Sequence, residues 1–177
     1  MAQSPYLSRV QSEMRPGVIT QDGFLGNDHR ELQEILIEDD ATVKRLNTTH
    51  AAIAARMHEL MEAGAEGLGL PIDVPPHFEI QVDSVRGKLP CPFMGGTIVQ
   101  KLNTTVFNTR LGREITYTDL NIHMIEEHGF YEGRGSLFRM PPEELAEILE
   151  MDLREPPPED EEGATPRLCV RKDDHDF

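Results

Sequence analysis

The sequence predicts an α+β fold, an antiparallel meander of three to four strands packed against an N-terminal helical hairpin and two C-terminal helices. Three observations lead there: apolar residues recur at helical spacing in two blocks before residue 64, alternate with period two from Phe78 to Val82, and return to helical spacing in two blocks after residue 118.

Residues 1–26 contain Pro5, Pro16, Gly17, Gly23 and Gly26, with short apolar pieces between them, and read as a partly ordered arm. A single domain is expected over 27–153. Its first helix, from about residue 29 to 45, has Asp28 as cap, Glu31 three residues later, and Leu32, Ile35, Leu36, Val43 and Leu46 at helical spacing. A second helix starts at Thr48 or Thr49, carries Ile53, Met57, Leu60 and Met61 on one face, and meets Gly64 at its end.

A connector rich in Gly and Pro, Gly67–Pro76, leads into the strand Phe78–Val82, where apolar residues alternate with Glu79, Gln81 and Asp83. Further strands are expected at Thr97–Leu102, Val106–Arg110 and Ile115–Tyr117, with Gly112 able to turn a hairpin. The third helix runs from Thr118 or Asp119 to Gly129, with Leu120, Met124 and Ile125 inward. The fourth opens with Pro142, Glu143 and Glu144 at its positive dipole end and buries Leu145, Ile148 and Leu149. Residues 154–177, rich in Pro and Glu, cannot bury enough apolar surface to fold and read as a disordered acidic tail.

The net charge is −15, and Glu155–Phe177 carries eight acidic and three basic residues, which leaves −10 on residues 1–154. Nucleic-acid binding rests on neutralising phosphates, so an acidic chain with no basic run longer than Arg171, Lys172 argues against it. No apolar stretch approaches the roughly 20 residues that cross a bilayer, and Met1–Arg15 lacks the apolar centre of a secretory signal. Two cysteines, Cys91 and Cys169, make no disulfide framework, which fits a reducing compartment. A cytoplasmic protein is expected.

The segment Val43–Met61 resembles the first part of a helix-turn-helix, with a polar turn and an alanine-rich second helix. That resemblance implies a transcriptional regulator. The residues that follow, Glu62, Ala63, Gly64, Ala65, Glu66 and Gly67, lack the basic and amide side chains with which a recognition helix reads bases.

The densest chemical signal lies in Thr118–Arg139, where a short helix carrying His123 and His128 empties into an aromatic, glycine-rich loop. Five residues along a helix is about 140° of rotation, so the two imidazoles do not share a face as an i, i+4 pair does. His128 is nevertheless the last residue before Gly129, where a change of backbone direction can swing its side chain back, and Cys91 offers a third ligand. With Asp119, Glu127 or a water, the three would meet zinc's preference for four nitrogen, sulfur or oxygen donors. The structural alternative is that His128 stabilises the helix C-terminus when protonated and His123 is an ordinary polar residue.

Pro90 and Pro92 fix the backbone on either side of Cys91 and hold the thiol in one direction, and a neighbouring His123 or His128 would lower its pKa and make it a nucleophile. A small buried hydrophobe is the competing reading. The loop residues Tyr131, Arg134, Ser136 and Arg139 form a candidate binding group, since Glu132–Ser136 could turn so as to offer N–H groups and a guanidinium to an anion. A structural turn explains the same residues.

No paired-carboxylate, Ser-His-Asp or dinucleotide signature is present. The expectation is therefore a non-catalytic intracellular accessory or regulatory protein that binds another protein with a basic surface. The alternatives are a zinc-type metal-binding protein centred on Cys91, His123 and His128, and the helix-turn-helix regulator.

Overall fold

The computed structural model describes residues 2–151. In chain order they form α1 (Pro5–Glu13), α2 (Leu32–Arg45), α3 (His50–Ala65), β1 (Ile72–Val74), β2 (Phe78–Pro90), β3 (Ile98–Asn108), β4 (Arg113–Thr118), α4 (Asp119–His128) and α5 (Pro142–Ile148). The four strands make one antiparallel sheet in the order β1-β2-β3-β4, with helices packed around it. This is the α+β meander that the change of period predicts. The acidic tail expected at 154–177 lies outside the described residues.

The sheet's register follows its inward side chains. Phe78, Ile80 and Val82 of β2 are buried, Ile80 pairs with Val106, and Val106 in turn pairs with Ile115. With Tyr117 they form a core with Ile53, Met57 and Leu60 of α3, Ile122 and Ile125 of α4, and Leu145 and Leu149 at the other end of the chain. The Tyr117 hydroxyl lies in this core and donates to the Met57 carbonyl at 2.6 Å, which satisfies its polar end. A second cluster joins Val10 and Met14 of α1, Leu32 and Ile35 of α2, Cys91 and Phe93 of the β2–β3 turn, and Leu120 and Met124 of α4. α4 thus contributes to both.

Several boundaries depart from the sequence reading. Residues 5–13 form a helix where no helix is expected: Ser4 accepts from the Leu7 N–H and Pro5 occupies its first turn. Asp28 does not cap α2. Glu31 is the N-cap and completes a capping box with Glu34, while both Asp28 carboxylate oxygens bind Arg30. The strands expected at 97–102 and 106–110 are one strand, because Asn103–Thr105 pair with β2 on one side and β4 on the other. The connector contains the short β1, and α3 runs one residue past Gly64.

Candidate metal centre

Cys91 leaves β2 between two prolines, and its N–H donates to the Thr97 carbonyl at 2.9 Å, closing the turn that starts β3. This turn packs on α4. Leu120 and Met124 lie between His123 and His128 on the helical wheel, and the cluster that buries them also contains Cys91 and Phe93. The thiol therefore reaches α4 on the side where both imidazoles can turn inward. Gly129 terminates the helix in the left-handed region at φ 62°, and its N–H donates to the Ile125 carbonyl.

The sulfur of Cys91 and one ring nitrogen from each of His123 and His128 all lie within 4.8 Å of one another. The 140° offset between the histidines does not separate them: their rings meet edge to face with centroids 5.6 Å apart. A tetrahedral zinc site with bonds of about 2.0–2.3 Å sets its donors about 3.5 Å apart, so metal binding requires any pair of donors to draw in by no more than about 1.3 Å. Side-chain torsion alone supplies movement of that size.

The surroundings hold the group. Phe93 stacks on His128 with centroids 4.1 Å apart and planes within 10°, and Phe130 meets Phe93 edge-on. The Tyr6 hydroxyl of α1 donates to the Phe93 carbonyl at 2.7 Å, tying the N-terminal helix to the same turn. Cys91 is 5% exposed.

Burial lowers the pKa of both histidines. For His123 the nearby Glu127 and Glu126 offset part of the effect, while for His128 the neighbouring His123 adds to it and brings the value to about 4. Both imidazoles are then neutral at pH 7, the form that binds metal. The buried His123 Nε2 has no hydrogen-bond partner in the protein, an orphaned donor or acceptor of the sort that a ligand satisfies.

Of the two carboxylates expected as a fourth ligand, neither joins the group. Glu127 is exposed, and Asp119, its carboxyl raised by burial, is influenced by His58 of α3. Three protein donors would leave a metal's fourth position open, as in catalytic rather than structural zinc sites.

The other candidate binding residues are engaged within the protein. Tyr131 is buried, and its hydroxyl bonds His50 Nδ1 at 2.8 Å while His50 Nε2 meets Asp40 at 2.9 Å. Arg139 forms a two-pronged ion pair with Asp39 at 2.6 and 2.9 Å, and Arg134 pairs with Glu38. The Ser136 N–H donates to the Gly133 carbonyl at 3.1 Å, and its side chain lies near the Glu132 carboxyl. These four residues share one loop, but α2 carboxylates already neutralise both of its guanidinium groups. Glu132 itself, 2% exposed, gives no sign in the sequence beyond its place in a glycine-rich turn, because its burial depends on a distant segment crossing that loop.

The chain matches no protein-family model, no curated protein and no solved structure.

Proposed function

We propose that this is a metal-binding protein of the zinc type, with Cys91, His123 and His128 as its ligands and the fourth position left to water or a substrate. The convergence of the three donors within 4.8 Å carries the reading. The neutral imidazoles and the orphaned His123 nitrogen support it, and a thiol with two imidazoles suits zinc better than calcium or magnesium, which take oxygen donors.

Elemental analysis of the purified full chain tests this. One equivalent of zinc is expected, lost in Cys91→Ser and in His128→Ala, and replacement by cobalt should give a thiolate charge-transfer band that Cys91→Ser abolishes. Metal-free protein that gains no thermal stability from added zinc would remove the centre.

A second reading, an accessory protein that engages a basic partner, is supported by the −10 charge on residues 1–154 and by Val85, Met94 and Ile98, all exposed around the outer half of the β2–β3 ribbon. It predicts a partner that co-purifies at low salt and is released by high salt. The outward residues of α3 include Ala51, Ala55, Glu59 and Glu62 but no lysine or amide, and its one arginine, Arg56, is engaged by Glu59 and the Leu149 carbonyl, which leaves little with which to read DNA. Among the described residues no helix is long and apolar enough to cross a membrane.

A further inference from the structure

Beyond the three candidate metal ligands, the segment 20–25 crosses the loop 130–138 and borders a partly open cavity of about 90 Å³. The crossing is backbone on backbone: the Gly133 N–H donates to the Phe24 carbonyl at 2.9 Å, and a Cβ on Gly133 would stand 2.3 Å from the Leu25 carbonyl oxygen. The walls are mostly apolar, with Phe24, Leu89, Leu120 and Phe138 among them, and Leu137, 77% exposed, also borders the space.

Glu132 lines this cavity. Its side chain is almost wholly buried, and its backbone sits at φ 65°, a region that non-glycine residues seldom adopt. Asn121 and Ser136 lie close to the carboxyl and offset part of its burial, and Arg139 donates to the Glu132 carbonyl at 2.8 Å while its charge is balanced by Asp39. One oxygen, Oε2, has no partner. Desolvation and an unusual backbone conformation thus coincide at one residue beside an apolar space, a pattern that points to a ligand.

We propose that this cavity binds a small neutral molecule, a carbonyl oxygen on a short apolar body, that takes its one directional hydrogen bond from the Glu132 carboxyl. Size limits the occupant: an apolar cavity of about 150 Å³ holds benzene, so about 90 Å³ holds about three to five non-hydrogen atoms. Charge selects it further. The other lining carboxyl, Asp22, is exposed to water, so a buried ammonium group would need Glu132 ionised between apolar walls, whereas burial raises the Glu132 pKa to about 8 and favours the neutral acid, which donates.

Propionamide is the probe, titrated into the isotope-labelled full chain at mildly acidic pH while the amide resonances of Phe24, Leu120, Asn121 and Glu132 are followed. Saturable shifts confined to these residues, with a millimolar Kd, are the expected result. Glu132→Gln keeps a donor and should bind within about threefold, whereas Glu132→Leu should bind about tenfold more weakly. Absence of saturable shifts in the wild-type protein, which would leave the cavity to water alone, overturns the proposal. So does tighter binding of n-propylammonium than of propionamide. Both readouts use the wild-type chain and stand whether or not the leucine variant folds.

Discussion

Glu132 and Asp28 are buried carboxyl groups whose ionisation should affect stability in opposite directions. Burial raises Glu132 from 4.5 to about 8, so the stability gained by keeping it neutral is fully present below about 4.5 and lost as pH rises through 8. Glu132→Gln should therefore melt higher than the wild-type protein at pH 9 and not at pH 5, a difference on the order of 2–4 kcal/mol measurable by thermal unfolding at the two pH values. Asp28, held well below the carboxylate range chiefly by its hydrogen bonds from Arg30, contributes above about pH 4 and loses that contribution as acid protonates it. Asp28→Asn should cost on the order of 1–3 kcal/mol at pH 7 and progressively less toward pH 2, as denaturant unfolding across that range would show. The sequence marks neither group as special. Asp28 reads as a helix cap, although its carboxylate turns to Arg30, and Glu132 reads as a turn residue, because the 20–26 segment that buries it lies more than a hundred positions away.

The helices and strands were more legible than their side chains. Period-two alternation at 78–82, Thr118 as a cap and Gly129 as a stop are local signals, and β2 and α4 follow them. The three candidate donors could be named from residue type alone, but their convergence depends on the β2–β3 turn meeting the Leu120 and Met124 side of α4, which helical rotation does not encode. Packing between elements also overrides propensity at Gly64. A Cβ there would stand 2.3 Å from Ile80 Cγ2 and 3.1 Å from Val82 Cγ2, both branched and buried. Gly64→Ala should destabilise by about 1–3 kcal/mol in denaturant unfolding, despite the helix preference of alanine. The loop after α4 is anchored to α2 through Arg139 and Asp39, whose side chains are 15% and 5% exposed. Arg139→Ala leaves the Asp39 carboxylate buried without its counter-charge and should cost about 3–5 kcal/mol by the same measurement.

At the scale of the molecule, the α+β class and the acidic balance were apparent from composition and periodicity, while the role of the first 26 residues was not. They read as a partly ordered arm with scattered prolines and glycines; Val10, Met14 and Phe24 are buried, and the segment walls both the Cys91 turn and the Glu132 cavity. Short-range patterns cannot report a segment whose apolar residues matter only for where they land. α4 has the converse property: Ile122 and Ile125 belong to one hydrophobic cluster, Leu120 and Met124 to the other. A ten-residue helix so divided has no means of staying folded after either neighbour lets go. Heating should consequently collapse secondary structure and aromatic environment along a single sigmoid, and if the proposed Cys91 site holds zinc, a chelator should slide that whole curve downward instead of splitting it in two.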